Sequence, residues 1–278
     1  MKHALPILLA GLSPLSASTL LYWDGTSNAG GNQLLDQSGN GIHGNRSQGG
    51  TGTWEIAPDG GPGGAGDSYL NLDSGADDSG NYARTHFSFP TTTHDLSNQS
   101  WAVSGWFDRS GTDLDMIFNF GGGDGYGGEN ELYLYGNATD QLALHHFAGS
   151  GNQQINLATT YNTGEWNSYV INFTASGLND GKGTLGFYHN GALVGSDSTF
   201  TFNMVQSRLN YGGTGNTGTE SRNYNGGLDD FALYTRTLTT EEITGLHNRT
   251  ITPLQIPEPG SLILLFGAGL LPLTRRKR

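Results

Sequence analysis

Thr184-Leu185-Gly186-Phe187-Tyr188-His189, then Asn190-Gly191, then Ala192-Leu193-Val194-Gly195-Ser196 is the stretch that decides the fold. Two strand-like runs flank two residues that both tolerate positive φ, so the segment reads as a β-hairpin closed by a type I′ turn. Just upstream, Asn179-Asp180-Gly181-Lys182-Gly183 reads as a second turn, joining the hairpin to a strand over Asn167–Thr174. Outward from there, short apolar or alternating runs bounded by Gly, Asn, Asp and Ser recur along the chain. They predict further strands at Thr19–Trp23, Tyr69–Leu72, Ala83–Phe87, Ser100–Phe107, Met116–Phe120 and Glu131–Tyr135. Others are predicted at Gln141–Phe147, Gln154–Thr159, Arg208–Tyr211 and Gly227–Tyr234. A single helix signal is present: Thr239 as N-cap, Glu241 and Glu242 in the first turn, then Ile243 and Leu246. Many strands with one short helix predict an all-β fold, an antiparallel two-sheet jelly-roll sandwich.

Composition agrees. The chain has 278 residues, with 45 Gly and no Cys, and 14% of residues are charged. That glycine share is more than twice the usual ~7%, yet no Gly-X-Y period runs through it, which excludes collagen. Five Trp, 12 Tyr and 12 Phe are too many aromatics for a disordered chain. The glycines are therefore read as turn and loop residues. Lack of cysteine excludes a disulfide framework, a thiolate metal site and a Cys nucleophile. One all-β domain can account for this length.

Both ends read as addresses. Met1-Lys2-His3, an apolar run from Ala4 to Leu15 and then Ser16-Ala17-Ser18 predict a signal peptide over residues 1–18, so the mature chain would begin at Thr19. The domain is expected over 19–250, with 251–256 as a linker. Residues 257–278 hold Pro257-Glu258-Pro259, an apolar run from Leu262 to Leu273 and the basic tail Arg275, Arg276, Lys277 and Arg278. An apolar run followed by clustered cations is the pattern of a segment whose basic end stays in the cytoplasm. The run falls short of the ~20 residues of a permanent span, which favours a removable tail.

This arrangement closely resembles the PEP-CTERM sorting signal of Gram-negative bacteria that make exopolysaccharide. The resemblance implies export across the inner membrane by the secretion machinery, transient membrane insertion of the tail and recognition by an exosortase. The processed protein would then reside at the cell surface or in the extracellular matrix. Without the two addresses, residues 19–256 carry 8 cations and 24 acids, a formal net charge of −16. Such a surface repels nucleic acid and anionic lipid; it is compatible with divalent cations and neutral glycans.

Along the mature chain the sequence resembles a laminin G-like (LamG) domain of the concanavalin A-like lectin/glucanase superfamily. The most specific match is the loop Asp36-Gln37-Ser38-Gly39-Asn40-Gly41-Ile42-His43-Gly44. Leu21-Tyr22-Trp23-Asp24 resembles the opening strand and Ser100 to Phe107 the strand carrying a core Trp. Gly226-Gly227-Leu228-Asp229-Asp230-Phe231-Ala232-Leu233-Tyr234, with Glu241-Glu242-Ile243, is similar to the closing strand and helix. Glycine-rich inserts at 58–66 and 121–128 depart from the pattern.

The resemblance implies a structural calcium at Asp36, Asn40 and Asp229 or Asp230, since calcium takes six to eight oxygen ligands. The competing reading gives Asp36 and Asn40 only turn hydrogen bonds. Strand alternation would put Asp229 on one face with Phe231 and Leu233. Asp113 and Asp115 are read as a solvated acidic loop. Trp23, Trp106 and Trp166 fall in matched strands and are expected in the core. The loop aromatics Trp54, Tyr126, Tyr211 and Tyr224 are the candidates for stacking on a sugar. Glu129 and Glu131 form the one close Glu pair near a strand edge, but they lack the Glu-x-Asp-x-x-Glu pattern of laminarinase-type enzymes.

The reading is therefore an exported, non-catalytic module that binds glycan or joins an extracellular polysaccharide matrix. A structural surface or adhesion protein without a discrete ligand is the alternative, and a glycoside hydrolase is disfavoured.

Overall fold

The computed structural model describes residues 19–26, 33–49, 53–73, 84–90, 96, 98–110, 115–121, 131–137, 139–147, 157–198, 200–201, 208–213 and 224–257. The expected signal peptide and everything from Glu258 onward lie outside them. Sixteen strands, numbered in chain order, form two antiparallel sheets among these residues.

The first sheet runs β14 (Ala192–Asp197), β13 (Gly183–His189), β12 (Asn167–Ala175), β7 (Trp101–Arg109), β16 (Gly226–Tyr234), β5 (Tyr69–Asp73) and β4 (Thr53–Ala57). β1 (Thr19–Trp23) also pairs with β16. The second sheet runs β11 (Leu157–Thr160), β10 (Gln141–Phe147), β9 (Glu131–Gly136), β8 (Asp115–Gly121), β15 (Arg208–Tyr211), β6 (Arg84–Pro90), β3 (Gly44–Gly49) and β2 (Gln33–Leu34). The predicted hairpin is β13 and β14. Its turn residues Asn190 and Gly191 have φ of 48° and 76°, the positive pair that a type I′ turn requires.

The two sheets face each other across one apolar core. Alternation supplies the inner face: Trp101, Val103 and Phe107 from β7, with Tyr169, Ile171 and Phe173 from β12. Trp101 stacks on Phe173 at 5.5 Å and meets Phe120 of β8 edge-on at 5.4 Å, joining the sheets. A bulge between Met116 and Phe118 lets β8 send both Ile117 and Phe118 inward.

A second apolar cluster covers the outer face of the first sheet. There α1 (Thr240–His247) lays Ile243 and Leu246 over Tyr22, Ala102, Val170, Ala232 and Tyr234. Thr239 caps α1 as the sequence predicts. Its hydroxyl accepts from the Glu242 amide, and the Glu242 carboxylate accepts from the Thr239 amide at 2.9 Å. The segment expected as a linker is instead packed. Pro253 and Ile256 are buried, Pro253–Gln255 form a 3-10 turn, and the Thr19 hydroxyl donates to the Pro253 carbonyl at 2.8 Å. Ile251, Pro253 and Ile256 are too few and too irregularly spaced to register as an element, yet Ile251 and Ile256 pack into the cluster that α1 covers.

β16 corrects a second expectation. Its pairing with β7 slips between Asp229 and Ala232, and Asp230 takes φ 48°. The extra residue resets the alternation. Leu228, Phe231 and Leu233 all point into the core, while Asp229 stands opposite Trp106 on the outer face. Asp229 therefore does not share a face with Phe231 and Leu233.

Candidate functional site

The Asp36–Gly44 loop acts as a clamp on β1. Asp36 Oδ1 accepts from the amides of Tyr22 (3.1 Å) and Ser38 (2.9 Å), and Oδ2 accepts from the Ser38 hydroxyl (2.8 Å) and the Ile42 amide (3.0 Å). The Asn40 side-chain amide donates to the Leu20 carbonyl at 2.9 Å and to Thr19 at 3.3 Å. Gly39 and Gly41, at φ 89° and 71°, provide the backbone reversals this requires. Both carboxylate oxygens are thus spent on four donors, and Asn40 presents hydrogens, not an oxygen, to the strand.

Asp229 and Asp230 sit at the β16 bulge, a separate place from the clamp. Tyr22 touches both sites, giving its amide to Asp36 and its hydroxyl to Asp230 Oδ1 at 2.7 Å. Among the described residues no three His, Asp or Glu side chains converge to hold a metal ion. As arranged, Asp36, Asn40, Asp229 and Asp230 do not fit one calcium ion.

The bulge instead borders a cavity of about 260 Å³ between the outer face of the first sheet and α1 with its C-terminal extension. Asp24, Asp67 and Asp230 line one end with Tyr22 and Arg249. The Arg249 guanidinium bridges Asp230 Oδ2 at 2.8 Å and Asp67 Oδ2 at 3.2 Å. Gly63 allows this approach, because a Cβ there would lie 2.7 Å from the Asp67 carboxylate and 2.9 Å from Arg249. The other end is formed by Trp106, Ser168 and His247. His247 stacks on Trp106 at 5.7 Å, and its Nδ1 shares a 2.9 Å hydrogen bond with the Ser168 hydroxyl.

The electrostatics are unbalanced. The Arg249 guanidinium pairs with Asp67 and Asp230, Asp24 lines the same cavity, and Asp229 adjoins Asp230 at the bulge. Burial first, and then the charge of Asp230, hold the Asp229 carboxyl far above the ordinary carboxylate range. Burial also raises Asp230, against the pull of the Tyr22 hydroxyl and Arg249. Asp24 and Asp229 each keep one buried Oδ1 with no hydrogen-bond partner, although such atoms are normally satisfied.

Sequence reasoning named Asp229 and Asp230 here but missed Asp24, Asp67, Arg249 and His247, which belong to no common motif. The usable signal was Arg249 itself, one of 8 cations against 24 acids in residues 19–256.

The aromatic candidates fare differently. Tyr211 is fully buried against Phe231 (4.3 Å) and Trp23 (6.1 Å). Tyr224 is fully buried with its hydroxyl on the Gly227 carbonyl at 3.2 Å. Neither offers a ring face to a ligand. Trp54 is half-buried on β4, beneath the Arg46 guanidinium at 5.3 Å. Tyr126 lies outside the described residues. Trp23 is in the core and Trp106 lies under α1. Trp166 is half-buried, its Nε1 donating to the Gly60 carbonyl at 2.8 Å and so holding the glycine-rich insert.

Asp115, expected in a solvated loop, is instead buried at the start of β8 and paired with Arg109; Asp113 lies outside the described residues, as does Glu129. Of the sorting motif, Pro257 is described. Its carbonyl accepts from Arg236 at 2.9 Å, while Glu258, Pro259, Arg275, Arg276, Lys277 and Arg278 lie outside.

A lectin-like β-sandwich with an acid-lined cavity is the class that fold and geometry define. A family model described as the concanavalin A-like lectin/glucanases superfamily (Laminin_G_3) matches residues 66–244, and the chain belongs to this family. Among solved structures, the chain is similar to domain 4 of AbnA, a GH43 extracellular arabinanase from Geobacillus stearothermophilus, in complex with arabinotriose. Identity is 18%, the TM-score is 0.60, and the match covers 84% of this chain and 99% of that one.

It is also similar to the botulinum neurotoxin serotype D/C VPI 5993 binding domain, at 15% identity and a TM-score of 0.56, covering 84% of this chain and 52% of that one. The binding domain of botulinum neurotoxin DC in complex with SialylT matches at 14% identity and 0.56, covering 84% and 51%. The chain thus spans about half the length of these toxin domains. Likenesses at such identities show a shared fold. No curated protein sequence matches.

Proposed function

We propose that this protein is an exported, non-catalytic carbohydrate-binding module of the cell surface or extracellular polysaccharide matrix. The observation that carries the reading is its membership of a lectin/glucanase family over residues 66–244. The arabinanase domain solved with arabinotriose and the toxin domain solved with SialylT are sugar-bound neighbours of the same fold.

The export route is supported by the sequence of the two ends: the basic start and apolar run before Thr19, and Pro257-Glu258-Pro259 followed by an apolar run and a basic cluster. Thr19 is buried at the start of β1, and Ile256 is buried immediately before Pro257. The exosortase then acts on a motif that starts at the domain surface.

The test is retention of the exported protein on a panel of immobilised polysaccharides, including that of the producing cell, with both chain ends read by mass spectrometry. Retention on at least one polymer, an N-terminus at Thr19 and loss of the basic tail are the expected results. No retention on any polymer would overturn the binding reading in favour of a structural matrix protein, and an intact tail would overturn the sorting reading.

A further inference from the structure

We propose that Arg236 latches the first residue of the sorting motif to the folded domain, so that the bond after Pro257 and those in the segment before it stay closed to a processing enzyme until the latch opens. This deepens the sorting half of the proposed function and rests on it. The domain itself then limits how far the tail is trimmed.

The latch is a fully used guanidinium. An arginine carries five N–H donors in a planar fork, and Arg236 spends all five. Nε (3.2 Å) and Nη2 (2.9 Å) both donate to the Pro257 carbonyl, and Nη1 donates to the Thr237 carbonyl at 2.7 Å. Nη1 (2.8 Å) and Nη2 (2.6 Å) grip the two Glu242 carboxylate oxygens. Both side chains are only 15% exposed, so this pair is screened less than an open surface pair. Glu242 is fixed in turn, because its Oε2 also accepts the Thr239 amide in the capping box of α1. The Pro257 carbonyl is thereby tied, through two side chains, to the start of the helix.

The residues before Pro257 are held as well. Ile256 is 1% exposed, and its amide donates to the Pro253 carbonyl at 3.3 Å across the 3-10 turn. The Thr252 amide donates to Gln255 Oε1 at 2.7 Å, and the Thr19 hydroxyl fixes the Pro253 carbonyl from β1. Recognition of a peptide as an extended strand needs its backbone and alternate side chains free. A 3-10 turn anchored by buried Pro253 and Ile256 does not offer them, and susceptibility to cutting follows the burial and hydrogen bonding of the backbone. Cleavage behind Pro257 therefore tracks the population of the opened form. With the latch closed, water adds across a bond after Glu258 or later, leaving a carboxylate on the residue before the cut and an ammonium on the one after it. The mature chain keeps Pro257.

The experiment is digestion of the purified full chain by proteinase K under native conditions, with the C-termini followed by mass spectrometry, for the wild type, Arg236→Gln and Arg236→Lys. The wild type is expected to hold a C-terminus at Glu258 or later. Arg236→Gln is expected to lose Pro257 and the residues back to Thr252 at least tenfold faster, and Arg236→Lys, which keeps the charge without the fork, to fall between. Amide exchange in Arg236→Gln should quicken at Ile256 and stay unchanged in β7 and β12, which separates an opened latch from a destabilised domain. Faster exchange throughout the sheet would assign the effect to global unfolding and overturn the latch. Loss of Pro257 at equal rates in the wild type and Arg236→Gln would also overturn it.

The wild type decides the matter even if Arg236→Gln fails to fold, because a folded wild type that loses Pro257 in step with its tail contradicts the latch. Chain ends read in the producing cell separate this inference from the sorting reading. A tail left intact there, with digestion as expected, would overturn sorting and leave the latch standing. A tail removed to leave Pro257 or an earlier residue as the C-terminus would keep sorting and overturn the latch.

Discussion

Arg109 is fully buried at the end of β7 and ties the two sheets together through charge. Its Nε pairs with Asp115 of β8 and its Nη1 donates to the Tyr161 hydroxyl and to the Asn137 carbonyl, the last at 2.8 Å. Gly136 leaves the space, since a Cβ there would lie 2.8 Å from Arg109 Cδ. Removing one partner strands the other in a dry site, at a cost of about 3–5 kcal/mol. Arg109→Met is therefore expected to lower the urea midpoint by that equivalent with an unchanged m-value. The double variant Arg109→Met/Asp115→Leu should recover much of the loss, because two apolar groups need no partners. Equal stability of Arg109→Met and the wild type would contradict this account.

α1 carries little intrinsic stability at eight residues, so its cap and its packing decide whether the cavity keeps its roof. Thr239→Ala removes the side-chain half of the capping box and is expected to cost about 1 kcal/mol, read by thermal melting. Amide exchange should rise first over Thr240–His247, ahead of β12 and β7.

At this scale the sequence was readable where chemistry is local. Asn190-Gly191 announces its turn, and Thr239 with Glu242 announces the helix start, because both signals lie within a few residues of what they determine. β3, with Gly44-Asn45-Arg46-Ser47-Gln48-Gly49, was unreadable, since a polar run has no alternation to detect and its pairing with β6 comes from far along the chain. The β16 bulge was hidden for a related reason. One extra residue at Asp230 changes which face Asp229 occupies, and the decision is made by pairing with β7. The cavity assembles Asp24, Asp67, Asp230 and Arg249 from four distant segments, so it had no sequence signature.

Across the whole molecule, buried titratable groups set opposing responses to pH. Burial pushes His146, packed on Phe200, down to about 4, and His189 likewise to about 4 with some help from His247. Their unfolded-state values lie near 6.5. The unfolded chain thus binds more protons between those limits, and the stability present above pH ~6.5 is lost as pH falls toward 4. Asp229 and Asp230 act in the other sense. Their folded values are raised by burial, so their contribution is fully present below the unfolded value near 3.9 and is lost as pH rises through the folded values.

Above pH ~6.5 the histidines no longer contribute a slope and the aspartates prevail. The Tm of the free protein is expected to decline from pH 7 to 9, and Asp229→Asn to flatten that decline. The gain at pH 8 should be about 2–4 °C for each kcal/mol recovered. A wild-type Tm that rises over pH 7 to 9 would contradict the assignment.

β1 finds its partner in β16, with Thr19 opposite Tyr234. The first of the described strands thus waits about 215 residues for its neighbour. At synthesis rates of ~5–20 residues per second, that wait is roughly 10–40 s. β16 also supplies the pairing edge for β7 and β5, so the first sheet has no centre until it arrives. Contacts this far apart in the chain make closure slow. Until then β1 has no partner strand, and the last of the described strands is the latch that closes the first sheet.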